Sequence, residues 1–577
     1  MYDKFPCIPS GTTEECFTGW KAIAAHLRSH FGPRKILVVE CYPGVHMAEV
    51  RHAFETSFPG AAFVCTEQLL KSPQEIGQML EPLLGNDPVF GRMNAIEIED
   101  FFAPDKLADA RQCCAERREA GTIVLGTGAS LVCPEPDFLV YADLARWEIQ
   151  MRQRRNETGN LGADNSRDTA SYKYKRAFFV DWRAADRLKI SLFSRIDLLL
   201  DTNMPGHPQA IAGGVLRRAL HEAARRPFRV VPFFDPGPWG GHWMERVCGV
   251  PADGVPNHAW CFDCVPEENS LLLGFGDARV EIPALDLVLT HPRELLGEHV
   301  YARFGAEFPI RFDFLDTMGG GNLSLQVHPL TAYIREHFGM DYTQDESYYL
   351  LDAGEDACVY LGIKEGIDPD DMMRDLRVAQ AGKLDFPAEK YVNRWPARKH
   401  DHFLIPAGTV HCSGKNSMVL EISATPYIFT FKLWDWGRLG LDGRPRPIHL
   451  SHGEANIQWN RTTEWVRSSL INRVQQVCAG DGWREERTGL HELEFIETRR
   501  HWFTAAVPHH THGSVNVLNL VEGEEAVVES PDGAFAPFVV HYAETFIVPA
   551  AVGDYTIRPC GASTGRECGT VLARVRI

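Results

Sequence analysis

Three short segments between Asn322 and His411 carry side chains of the kinds that hold a divalent metal. Asn322 to Pro329 reads Asn-Leu-Ser-Leu-Gln-Val-His-Pro, an alternating strand in which Gln326 and His328 project from one face. Asp345 to Leu351 is a second strand, and Glu346 stands near its start. Phe403 to His411 is an apolar run, a Pro-Ala-Gly turn and a histidine just beyond it. Two imidazoles, one carboxylate and one amide oxygen make a mixed N/O set that suits zinc or a similar first-row ion. Four protein ligands still admit water or a substrate oxygen if the ion expands its shell, so a catalytic and a structural metal are both open at this point.

The elements that must position these groups belong to a long, ordinary soluble chain. At 577 residues the length implies about four domains, or fewer if β-rich ones run large. Hydrophobic residues at 44% and charged residues at 24% allow a sizeable core. A formal net charge of -18 argues against a nucleic-acid partner, which would require a basic face. No apolar run approaches a membrane span, and the first residues, Met-Tyr-Asp-Lys-Phe-Pro, have no signal-peptide pattern. Fifteen scattered cysteines do not form a disulfide framework, which points to a reducing cytoplasm. Cys261 and Cys264 have redox or zinc spacing but stand alone in a strand-like run, and they read as structural cysteines.

Residues 1–225 alternate strand and helix patterns, hence an α/β domain. Lys35 to His46 is a buried strand and a turn, with a helix starting near Met47. Thr122 to Gly128 is another apolar strand with a glycine exit. Phe138 to Tyr141 leads into a helix from Ala145 whose Arg152, Arg154 and Arg155 read as a solvated basic face, and a polar loop follows from Asn156 to Ser171. Near Ala224 to Arg229 the pattern changes to short strands separated by glycine and proline, which reads as a sandwich or barrel. Residues 226–452 form the metal-binding domain, with an inserted helix over Asp368 to Gly382 that has an acidic start and a glycine stop. Residues 453–577 continue as a second, metal-free barrel in which Tyr555 stands where a histidine would be wanted. There His509 to His512 reads as a surface loop with no carboxylate nearby in sequence.

Two resemblances follow. The order of elements in the first 200 residues or so, with an arginine-rich helix before a polar loop, resembles the uridine-kinase-like branch of P-loop kinases. The phosphate-binding loop itself is missing, because the turn from Glu40 to Met47 has one glycine, Gly44, and no lysine lies between Lys35 and Lys71. A scaffold kept for packing, oligomerisation or regulation is therefore expected there, with no ATP binding.

The phrases Leu-Ser-Leu-Gln-Val-His-Pro, Asp-Glu-Ser-Tyr-Tyr-Leu-Leu, Ile-Pro-Ala-Gly-Thr-Val-His and Leu420-Glu-Ile422 resemble type I mannose-6-phosphate isomerases of the cupin superfamily. Pro238-Trp-Gly-Gly241 and Trp434-Asp-Trp-Gly-Arg438 fit the same order. The resemblance implies jelly-roll domains after the α/β domain and one Zn2+ per chain on Gln326, His328, Glu346 and His411. It implies an aldose–ketose isomerase that interconverts mannose 6-phosphate and fructose 6-phosphate, or a related sugar or sugar phosphate, through a cis-enediol. Glu421 matches the family's active-site glutamate and is the candidate base, or else a carboxylate paired with an arginine such as Arg438. Lys432 and Arg438 fall in the catalytic group, and Ser324, Gln344 and Lys432 at substrate-contacting positions. Lysines expected at two positions are Asp313 and Gln344 here, and an expected arginine is Lys432, which keeps the charge and loses the bidentate fork. These departures keep a second reading open, a sugar-binding or regulatory cupin without turnover, and the first domain leaves a third, a bifunctional kinase and isomerase. The partner is a small sugar or sugar phosphate, and an oligomer is compatible with the sequence.

Overall fold

Six consecutive residues, Ile36–Cys41, are all buried, as a strand in a parallel sheet covered on both faces must be. In the computed structural model, which describes residues 1–116, 121–489 and 491–576, this strand lies in the interior of a seven-stranded sheet. Thr122–Gly126 and then Ala62–Cys65 pair parallel on one side, and Phe138–Asp143 and then Leu198–Asp201 on the other. Gln209–Ala212 and Cys16–Thr18 extend the sheet antiparallel. Residues 7–223 and 267–291 form this compact α/β unit, while residues 1–6, 224–266 and 292–577 form a second unit.

Residues 267–291, read from sequence as part of the metal domain, pack with the α/β unit for an identifiable reason. Ser270–Phe275 pairs with Cys7–Gly11 in a small sheet, and the helix Leu285–Thr290 brings Asp286 to Lys189. Lys189 Nζ lies 2.7 Å from both Asp286 Oδ1 and Asp143 Oδ2, all of them buried. A buried ammonium between two carboxylates is costly to separate, so the segment is held where its counter-charge is. Arg152 is likewise buried rather than solvated, donating to the backbone carbonyls of Gly44, Thr202 and Asn203. The turn after Ile36–Cys41 is closed by Val45 N–H donating to Tyr42 O, and a Cβ on Gly44 would meet Ile149 at 2.8 Å. The turn has the one glycine, where a phosphate-wrapping loop has several.

The second unit contains the metal segments. Up to residue 434 its strands are β1 (Phe233–Asp235), β2 (Trp260–Cys264), β3 (Ile310–Asp316), β4 (Leu325–Val327), β5 (Glu346–Ala353), β6 (Cys358–Ile363), β7 (Val392–Pro396), β8 (His402–Ile405), β9 (His411–Ser413), β10 (Ser417–Ala424) and β11 (Phe431–Trp434). They form two antiparallel sheets, ordered β8-β5-β10-β3-β2-β1 and β7-β6-β9-β4-β11. The inserted helix, Pro369–Gln380, lies between β6 and β7 and is capped by Asp368, whose side chain accepts from Asp370 N–H. Cys261 and Cys264 lie in β2 as free, buried thiols.

Residues 475–575 build another pair of antiparallel sheets, of six and four strands, over a core that includes Phe503, Leu518, Phe546 and Tyr555. His509 and His510 belong to the strand Val507–His510 rather than to a loop, and His509 is buried, stacked on Tyr555. Its sequence Val-Pro-His-His hides the alternation, because proline and the second histidine take the exposed positions. Arg229 joins these sheets to the ones that carry His328, Glu346 and His411, lying 2.8 Å from Glu544 and 3.4 Å from Asp263 in a buried ion cluster. No helix among the described residues is long and apolar enough to cross a membrane.

Candidate active site

The site is assembled by strand register. In the five-stranded sheet Gln326 of β4 pairs directly with His411 of β9 and with Lys432 of β11, so these three side chains share one face. His328 follows β4 by one residue, on the same face as Gln326. In the facing sheet Glu346 pairs across to Ser423 of β10, and Ser423 to Arg311 of β3. The next row is Tyr348, Glu421 and Asp313. The two inner faces meet where Glu346 reaches the histidines.

Glu346 Oε1 lies 2.5 Å from His411 Nε2 and 3.3 Å from His328 Nε2, and all three side chains are buried. Among the described residues these three form the group of His, Cys, Asp and Glu side chains whose ligand atoms converge closely enough to hold one metal ion. The Gln326 carboxamide is 3.3 Å from His411 Nε2, and half a turn of the amide presents its oxygen to the same point. Each imidazole is oriented through its other nitrogen, His411 Nδ1 against Thr409 O at 2.8 Å and His328 Nδ1 against Phe429 O at 3.3 Å. Donation from Nδ1 leaves Nε2 bare and facing the centre, the tautomer a metal requires. His328 Nε2 and Glu346 Oε1 are buried without a hydrogen-bond partner, atoms that a cation would satisfy. Burial raises the Glu346 carboxyl's proton affinity, but the two histidines outweigh it and hold the group well below the usual carboxylate range. The residues present fit a divalent ion.

Glu421 lies beside this centre and is buried. Its Oε1 accepts hydrogen bonds from Ser423 Oγ at 2.8 Å, Arg311 Nη1 at 3.1 Å and Gln344 Nε2 at 3.2 Å. Gln344 Nε2 also reaches Glu346 Oε2 at 3.3 Å, linking the carboxylates. Burial, then Asp313 and Glu346, push the Glu421 carboxyl well above its ordinary range, with Arg311 opposing. Asp313 is pushed up to about 7 by burial, against the pull of Arg311. The arginine that partners Glu421 is therefore Arg311, not Arg438.

Arg438 belongs to another cluster. Asp435 accepts from Arg438 Nη2 at 2.8 Å and from Arg446 Nε at 2.6 Å, while Arg446 Nη2 also donates to Ser324 Oγ at 2.5 Å. Ser324 Oγ in turn donates to Asp435 Oδ1 at 2.9 Å. Lys432 adds a third cation, and among the described residues its ammonium has no hydrogen-bond or ion-pair partner. Burial, and then Arg446, lower it to about 8. The sequence singled out neither Arg311 nor Arg446. A signal for the first existed, since Arg311 and Asp313 stand two apart among the apolar residues of the strand Ile310–Asp316 and so share its inner face.

A family described as "Domain of unknown function (DUF8485)" matches residues 19–225, and that description names no activity. Mannose-6-phosphate isomerase from Streptococcus mutans serotype c is 28% identical over 214 residues, covering 37% of this chain and 61% of the relative. Mannose-6-phosphate isomerase ManA from Bacillus subtilis is 28% identical over 233 residues, covering 39% of this chain and 65% of the relative. The chain thus spans less than two thirds of the length of either relative, and its homology to mannose-6-phosphate isomerases is partial. The crystal structure of the Bacillus subtilis mannose 6-phosphate isomerase aligns with a TM-score of 0.49 at 18% identity, covering 61% of this chain and 100% of that one. A zinc-bound mannose 6-phosphate isomerase aligns with a TM-score of 0.46 at 14% identity, covering 61% and 100%.

Proposed function

We propose that this chain is a zinc-dependent aldose–ketose isomerase that interconverts mannose 6-phosphate and fructose 6-phosphate, or a related sugar or sugar phosphate, through a cis-enediol. The observation that carries the proposal is the meeting of His328, Glu346 and His411, with the Gln326 amide beside them, one strand away from a buried glutamate. Gln326, His328, Glu346 and His411 would hold the ion, one per chain. When bound, zinc supplies Lewis acidity toward a sugar's carbonyl and hydroxyl oxygens. Glu421 takes the proton from C2, the C2–H electron pair becomes the C1–C2 double bond, and the carbonyl pair moves to O1, which takes a proton. Glu421 then returns its proton to C1, while the O2 hydroxyl proton passes to solvent in exchange for the one taken up at O1, and O2 becomes the ketose carbonyl. Lys432, Arg438 and Ser324 bind and orient the substrate, the lysine through its uncommitted charge, and Gln344 holds Glu421 and Glu346 together.

A second reading, a sugar-binding cupin without turnover, is favoured by Asp313 and Gln344 at positions where the resemblance expects lysines. A coupled assay for fructose 6-phosphate formed from mannose 6-phosphate, with and without chelator, separates the two. Zinc-dependent turnover supports the isomerase. Stoichiometric zinc with sugar binding and no turnover on any hexose or hexose phosphate supports the second reading. For the α/β unit we propose a kinase-like scaffold that binds no ATP, supported by the closed turn at Tyr42 to Val45.

A further inference from the structure

Glu421 Oε1 accepts three hydrogen bonds, from Arg311, Gln344 and Ser423, and its other oxygen accepts none among the described residues. An acceptor taking three donors, one of them charged, is a poor base, so the uncommitted Oε2 is the oxygen left to take a proton. The donor that fixes this asymmetry is itself immobilised. Arg311 Nη2 donates to Asp313 Oδ2 at 2.9 Å, and the guanidinium lies 4.6 Å from the ring centre of Tyr427 and 5.6 Å from that of Phe262. Resting on the isomerase reading of the site, we infer that Arg311 is a positioning residue, which clamps Glu421 by one oxygen and presents the other to substrate.

The same geometry accounts for the carboxylate at position 313. Arg311 and Asp313 share one face of β3, and both are buried. A lysine at 313 would set two unshielded cations side by side there, at a cost of several kcal/mol in a buried setting. Here the cation stands at 311, two residues away on the same face, and Asp313 is its counter-charge. Asp313 and Glu421 are the two arms that one planar fork can bridge, which a lysine at 311 could not do.

The test compares the wild type with Arg311→Lys and Asp313→Asn. It reads kcat and KM for mannose 6-phosphate, washout of deuterium from C2 of the labelled sugar, and zinc content with circular dichroism. For Arg311→Lys we expect kcat and deuterium washout to fall together by about 100-fold, with KM within about threefold and zinc unchanged. For Asp313→Asn, which keeps the guanidinium but removes its anchor, we expect kcat to fall by about tenfold at unchanged KM. That variant decides the matter if Arg311→Lys does not fold. Unchanged kcat in either folded variant, or a change confined to KM, overturns the positioning role and leaves the isomerase reading standing. If the wild type washes no deuterium from C2 of any hexose or hexose phosphate, the isomerase reading falls and the role of Arg311 with it.

Discussion

Replacing Lys432 with methionine is expected to make the metal-free protein more stable. Lys432 points inward beside Gln326, has two arginines as neighbours, and shares their one carboxylate, Asp435, only at a distance. Burial and Arg446 bring its ammonium from 10.5 down to about 8. At about 1.36 kcal/mol for each tenfold change in proton affinity, the drop amounts to about 3 kcal/mol of destabilisation. The side chain keeps some exposure, so screening reduces the expected gain from Lys432→Met to roughly 2 kcal/mol at pH 7. The sign follows from linkage. Below about pH 8 the lysine is charged in both folded and unfolded states and the full cost is present. Between about 8 and 10.5 the unfolded chain binds more protons, so the wild type gains stability as pH rises and the advantage of methionine shrinks. Guanidinium melts of both proteins at pH 7 and pH 10 measure this difference. A methionine variant less stable than wild type, by the same margin at both pH values, would refute the reasoning, because it would mean the ammonium is well satisfied where it sits. Affinity for a sugar phosphate should move the opposite way and weaken in the variant, which is the signature of a charge kept for binding rather than for folding.

Further outcomes follow from other parts of the chain. Glu421→Gln should lower kcat by about 1,000-fold with little change in KM, read in the coupled isomerase assay, and a variant of near wild-type rate would remove Glu421 as the base. Arg229→Met should cost about 3–5 kcal/mol in denaturant melts, because it strands the buried Glu544 and Asp263, whereas a loss below about 1 kcal/mol would show that the cluster is not closed by this residue. Calorimetric titration of the full chain with ATP and magnesium should give no saturable heat. A saturable isotherm would contradict the scaffold reading of the α/β unit.

The convergence of His328, Glu346 and His411 was legible because its information is local. Gln326 and His328 are two apart in an alternating run, and Glu346 and His411 each sit at the start of a strand, so residue type and period alone place them on inward faces. The groups around them depend on pairing that no local pattern encodes. Arg311 meets Glu421 only because β3 lies beside β10 in register, although the two are 110 positions apart in the chain. That Lys432 is without a partner is visible only when both arginines are seen to spend themselves on Asp435. Arg152 looked solvated because its helix carries three arginines, yet burial differs sharply between Arg152 and Arg155, which pairs with Glu148 and Glu157 near the surface. The return of residues 267–291 to the α/β unit was hidden for the same reason, since Asp286 finds Lys189 across 97 residues.

X-ray absorption at the zinc edge on purified, zinc-loaded protein addresses the central proposal most directly. One zinc per chain is expected, with nitrogen and oxygen neighbours at about 2.0–2.2 Å and no sulfur, and with loss of that signal in the His328→Ala, His411→Ala double variant. A sulfur shell at about 2.3 Å, or an unaltered spectrum in the double variant, would place the ion elsewhere and contradict it.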